Sequence, residues 1–263
     1  MKMKPNLIVL KMLSTAIFIF FAIPELAGQN TDSMSLAKES QHFAFYSTKG
    51  DNGVLESLAS ILENNYARIT NRLGVQLERK INVKIFPDVK SFHVAINRPA
   101  APDWFVGSCV GDTILMVSPL NPGSVHTYES LMQVIVHEFV HIAVYYALGE
   151  KVINELPKWL SEGYAQYEAG QINEHIRKSV RSTLTNRIPP TWKQLDAASA
   201  MEFGQMNGYG LSVTIVEFLI ETYGIDKLIS LIKEPEHIET IYGLTENTLE
   251  KQWIHYIRNE KIE

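Results

Sequence analysis

The chain has 263 residues, 46% of them hydrophobic and 20% charged, with 15 Gly, 11 Pro and a single Cys. That apolar share excludes a disordered tail or a collagen-like repeat, and one cysteine excludes an internal disulfide framework. A net charge of −5 leaves no basic footprint, so nucleic acid is not expected as a partner.

Residues 1–28 read as an export signal. Lys2, Lys4 and Lys11 give a positive start, Met12 to Ile23 is an apolar run, and Pro24 breaks it. Leu26-Ala27-Gly28 then offers small residues for cleavage before Gln29. The run is shorter than the roughly 20 residues that span a bilayer. Counting back to Leu7 lengthens it, which keeps an uncleaved membrane anchor as the alternative. Gln29 stands where a lipobox needs cysteine, so lipid attachment is not expected. Cleavage would remove three lysines and one glutamate, taking the formal charge from −5 to −7. The expected location is periplasmic or extracellular, without stable membrane insertion after cleavage. A lone thiol is safest buried in such a compartment, and Cys109 reads as a small core residue without chemistry.

The remainder, 29–263, reads as one domain, with a sheet-containing part over 29–122 and a helical part over 123–263 that carries the chemistry. His42 to Thr48 is predicted as the first strand, and Gly50 to Gly53 as a turn. Leu55, Leu58, Ile61, Leu62, Ile69 and Leu73 recur at helical spacing up to Gly74. Ile81 to Phe86 alternates as a strand, followed by a short helix near Val89 to Ile96. Phe105–Val110 and Thr113–Val117, joined through Gly111-Asp112, predict a hairpin. After Pro122 the pattern is helical, over Tyr128–Leu148, Lys158–Glu168, Asn173–Thr183, Tyr209–Tyr223, Asp226–Lys233 and Glu246–Arg258. Gly149 and Gly224 fall where C-caps belong, and Pro157 falls at a helix start. The fold class is α+β, a small mixed sheet with helices and then a mainly helical half. Nothing in the sequence indicates an oligomeric state.

His137-Glu138-Phe139-Val140-His141 carries the chemistry. Residues four apart on a helix differ by about 40° around its axis, so both imidazoles leave one face. Two neutral imidazoles so placed can bind one Zn²⁺, and Glu138 beside them suits a general base toward zinc-bound water. The flanking residues, Val134 to Val136 and Ile142 to Val144, are those of a buried helix. Such a helix does not carry two histidines and a glutamate unless those groups find partners. A catalytic zinc needs a third protein ligand. The metzincin pattern would place Gly at 144 and His at 147; Val144 and Ala147 exclude it.

Twenty-one residues beyond His141 comes Glu162, within Trp159-Leu160-Ser161-Glu162-Gly163-Tyr164-Ala165 on a separate predicted helix. With HExxH, this segment resembles the Glu-ligand zincins (gluzincins), the thermolysin and aminopeptidase N group, and within them the small peptidase MA-like proteins. The resemblance extends over roughly residues 125–260. It implies a zincin-like metallopeptidase fold, one Zn²⁺ held by His137, His141 and Glu162, and a peptide or protein substrate. By distance alone Glu155, Glu168 and Glu174 compete with Glu162. The resemblance also implies a downstream tyrosine that stabilises the oxyanion; Tyr209 is the best match, ahead of Tyr164, Tyr145 and Tyr146. Two features depart from it. The Gly-Ala-Met-Glu-Asn exopeptidase motif is absent, and Gln166, one turn after Glu162, replaces the acid that orients a histidine in thermolysin-like enzymes.

The expected function is therefore a zinc peptidase, with Thr113–Val117 as the strand that pairs with an extended substrate. The alternative is a catalytically silent zinc-containing module that binds peptides or surfaces; a metal-free helical interaction protein is the third reading. His42, His93, His126, His175, His237 and His255 are isolated and read as core or surface residues. Trp104, Trp192 and Trp253 read as core or rim packing.

Overall fold

Apolar, β-branched and aromatic runs in the first part of the chain pair into one five-stranded mixed sheet. The computed structural model describes residues 34–153, 155–186 and 188–259, so the export-signal reading of 1–28 lies outside the described residues. Strands β1 (Ser35–Glu39), β2 (Phe43–Ser47), β3 (Ile81–Phe86), β4 (Gly107–Val110) and β5 (Thr113–Val117) lie in the order β1-β2-β3-β5-β4. β2, β3 and β5 run parallel, while β1 and β4 pair antiparallel at the two edges. The parallel connections are crossovers through helices α1 (Leu55–Leu73) and α2 (Val89–Ala95). The Asp88 carboxylate caps α2 by accepting the Ser91 N–H at 2.7 Å.

The predicted strands and the hairpin are present. β1 was not expected, because Ser-Leu-Ala-Lys-Glu has no apolar alternation; it is an exposed edge held by main-chain pairing. Interior strands differ: Phe43, Phe45, Ile81, Val83, Ile85 and Ile114 are fully buried.

The helical half contains α3 (Tyr128–Ile153), α4 (Lys158–Glu168), α5 (Glu174–Asn186), α6 (Trp192–Ala197), α7 (Ala200–Gln205), α8 (Gly208–Tyr223), α9 (Ile225–Lys233), α10 (Ile238–Tyr242) and α11 (Glu246–Asn259). The expected break at Gly149 is real: its φ of 70° and ψ of 173° leave helical geometry inside the run assigned to α3. Helices α6 and α7 were not anticipated, although each opens with a capping box, Thr191 with Gln194 and Ser199 with Glu202.

Helix α3 is long and apolar enough to cross a bilayer, yet half of it is buried within the protein, where it packs on α1, α4, β4 and β5. Phe139 fixes its inner face, with its ring 5.3 Å edge-on from Phe43 and 5.6 Å stacked on Tyr66. Full burial of such a ring contributes roughly 1.5–3 kcal/mol. Because Phe139 lies between His137 and His141 in sequence, anchoring it inward turns both imidazoles the other way. Trp192 and Trp253 are core residues and Trp104 is a partly exposed rim residue, as the core-or-rim reading expects.

Candidate metal centre

Helix α3 supplies His137 and His141, and α4 supplies Glu162. Pro157 opens α4, and Gly163 lets it pack against α8 at close range. The Nε2 atoms of His137 and His141 are 3.0 Å apart, and Glu162 Oε2 lies 3.4 and 3.8 Å from them. The three ligating atoms are mutually within 4.8 Å. Among the described residues this is the group of histidine, cysteine and acidic side chains arranged to hold a metal ion.

The outer faces of the imidazoles are already committed. His137 Nδ1 stands 3.0 Å from Gln171 Oε1, and His141 Nδ1 stands 3.3 Å from Ser161 Oγ. An amide oxygen only accepts, so His137 carries its proton on Nδ1 and turns the Nε2 lone pair inward. The two Nε2 atoms and the Glu162 carboxylate thus face one another across a short gap. That donor set fits zinc: nitrogens about 2.0–2.1 Å from a tetrahedral ion lie roughly 3.3 Å apart.

The electrostatics without metal agree. Burial pushes His141 down to about 4, and the neighbouring His137 adds to this. Burial also pulls His137 down, but hydrogen bonding to Glu162 and its negative charge raise it overall. Glu162 is held below the usual carboxylate range, since His137, His141 and Lys158 outweigh its burial. Glu138, 8% exposed, is raised to about 7 by burial, reinforced by the charge of Glu162.

These side chains open into a cavity of 610 Å³. Its polar wall is the metal group with Glu138, Gln166 and Gln171; Trp104, Phe105, Phe203 and Tyr209 form an aromatic wall. Of the tyrosines considered from the sequence, Tyr209 alone lines it. Its ring meets Trp104 at 5.9 Å and Phe203 at 5.0 Å, both edge-on. Tyr146 instead donates to Asp112 Oδ1 at 2.5 Å, and Tyr164 is buried in the core beside Arg68 and Arg72. The competing glutamates are elsewhere: Glu168 pairs with Arg68 and Arg72, Glu174 pairs with Lys178, and Glu155 is exposed.

Three expectations need correction. Thr113–Val117 cannot receive a substrate strand, because β5 is paired on both sides, by β3 and by β4. The outer strand is β4, and its residues Gly107, Ser108 and Cys109 line the cavity. A β carbon at Gly107 would stand 2.8 Å from Glu138 Oε1, so glycine there lets the strand reach the carboxylate. Cys109 is only partly buried, and its thiol bonds to Glu138; both burial and that carboxylate push the thiol pKa well up. His126 is not isolated from the site: it lines the same cavity, with Nε2 2.9 Å from the Trp104 carbonyl. Gln171 and Ser161 were not foreseen, because HExxH spacing carries no information about what sits behind the rings.

No curated protein sequence matches the chain. The Peptidase MA superfamily model matches residues 62–259, from within α1 to the end of α11. That span takes in both histidines, Glu162 and most of the sheet, and the chain belongs to the Peptidase MA superfamily.

Proposed function

We propose that the protein is a zinc-dependent peptidase in which His137, His141 and Glu162 hold one Zn²⁺ and Glu138 is the general base. The observation that carries this reading is the inward convergence of two imidazole nitrogens and a carboxylate, beside a buried glutamate. When bound, zinc would polarise a carbonyl oxygen and lower the pKa of water toward 7.

Glu138 is suited to both proton transfers. Burial favours its protonated form more than water would, so it can accept a proton from the attacking water and return it to the leaving amine. Strand β4 would bind an extended substrate through main-chain hydrogen bonds, which provides affinity with little side-chain preference. Burial raises the Tyr209 phenol, and the charges of Glu162 and Glu138 raise it further. It therefore stays protonated and can donate toward the oxyanion. The N-terminal sequence supports action outside the cytosol, on exported or extracellular peptides.

The test is hydrolysis of a broad peptide library by zinc-loaded protein, with and without chelator, beside Glu138→Gln. Expected are chelator-sensitive hydrolysis by wild type and at least a 100-fold loss in E138Q with zinc retained. Wild-type activity in zinc-loaded E138Q would overturn the base assignment. Zinc binding without hydrolysis in wild type would leave the silent binding module standing.

A further inference from the structure

We propose that Gln171 is a positioning residue for the metal centre, its side-chain carbonyl fixing the orientation of His137; this rests on reading His137 as a zinc ligand. The position one turn past Glu162 cannot do so here. Gln166 occupies it, buried in the cavity wall, and its Oε1 has no hydrogen-bond partner. The acceptor that meets His137 Nδ1 at 3.0 Å comes five residues later, from the loop after α4.

The local sequence explains how the loop returns. Gly170 is left-handed, with φ of 66°, just after α4 ends. The Gly170 N–H donates to the Tyr167 carbonyl at 3.1 Å and the Gln171 N–H to the Gln166 carbonyl at 3.0 Å, the paired bonds of a Schellman motif. The residue after the glycine is thereby folded back on the helix end, facing α3. Two further bonds pin this turn: Gln133 Nε2 donates to the Gly170 carbonyl at 2.8 Å, and Arg68 Nη2 donates to the Glu168 carbonyl at 2.8 Å. Helices α3 and α1 thus hold the loop from two sides, with the Gln171 side chain directed at His137.

The chemistry sets a sign. An amide oxygen orients His137 as a carboxylate would but adds no negative charge. Outer partners of ligating histidines affect metal affinity by about 10–100-fold. Gln171→Ala is therefore expected to weaken zinc binding by about 10-fold or more. Gln171→Glu, which keeps an acceptor and adds charge, is expected to bind zinc at least as tightly as wild type.

Zinc affinity is read by competition with a chromophoric chelator for wild type, Q171A, Q171E and Q166A, and the metal-free thermal unfolding midpoint is measured for each. Support is loss in Q171A, recovery in Q171E, wild-type affinity in Q166A, and metal-free midpoints close to wild type. Unchanged affinity in Q171A overturns the proposal. So does a loss that Q171E does not recover and that a lower metal-free midpoint accompanies, since the residue would then only hold the loop. If wild type binds no zinc, the metal reading itself fails, which is distinct from wild-type binding with Q171A indifferent.

Discussion

Gly163 lies against the main chain of Ser212 so closely that a β carbon on it would stand 2.4 Å from the Ser212 carbonyl oxygen. The glycine following Glu162 is therefore a packing device: it lets α4 and α8 touch backbone to backbone and fixes the depth at which Glu162 enters the site. A main-chain carbonyl cannot swing aside as a side-chain end can. Gly163→Ala is expected to destabilise the protein by about 3 kcal/mol, at the upper end for overpacking, seen as a lower urea midpoint at unchanged slope. Ser161→Ala, on the same helix, is the contrast and should cost under about 1.5 kcal/mol. Equal stability of the two variants would show that α4 and α8 separate easily.

Glu168 is the second tie on α4. Its side chain is fully buried, with Arg72 Nη1 2.5 Å from Oε1 and Arg68 on Oε2. Burial, and then the charge of Arg72, lower the Arg68 pKa. Glu168→Gln leaves them facing each other without a counter-charge and is expected to cost about 3 kcal/mol. Both arginines are partly exposed, so raised salt should recover part of that loss. Denaturant midpoints at low and high ionic strength check both statements.

What could be read in the sequence follows from where the information is local. Phe43, Val83 and Ile114 announce strands because burial imposes alternation, and Leu55 to Leu73 announces a helix by its period. His137 and His141 were legible because one helix presents both, so spacing alone determines geometry. Glu162 needed the resemblance, since no local rule connects two helices. Strand β1 and the outer position of β4 were not legible: the first has no apolar pattern, and the second is a pairing order that only long-range contacts decide. Gln171 escaped for the same reason, as its partner lies 34 residues away.

Acid should weaken the protein partly through Glu63. Its carboxylate accepts the His42 main-chain N–H at 2.8 Å and lies 2.6 Å from His42 Nδ1. Burial alone would raise this carboxyl, but bonds from Ser40 and His42 and the charge of His42 lower it overall. A carboxyl held low in the folded state stabilises wherever it is ionised. Its contribution is complete above the unfolded value of about 4.5 and is lost as pH falls through the lower folded value. Glu63→Gln should thus lie furthest below wild type near pH 6 and converge with it once the pH has fallen through the lower folded value. A gap that stays constant across urea midpoints over that range would remove Glu63 from the acid response.

The last prediction separates the two roles available to Tyr209. Asn207, left-handed at φ of 60°, starts α8, and its amide donates to Ser179 Oγ at 3.2 Å and Thr183 Oγ1 at 3.3 Å. Tyr209 is therefore presented from the first turn of α8, with Trp104 and Phe203 holding its ring on the aromatic wall. Tyr209→Phe keeps that ring and removes only the hydroxyl. If the phenol donates to charge that develops during the reaction, kcat should fall by about 100-fold while KM and zinc affinity stay near wild type. If the ring serves only as wall, Y209F should match wild type, and Tyr209→Ala should raise KM instead. Steady-state kinetics on one cleaved peptide, with the zinc content of each protein measured alongside, distinguish a donor from a wall.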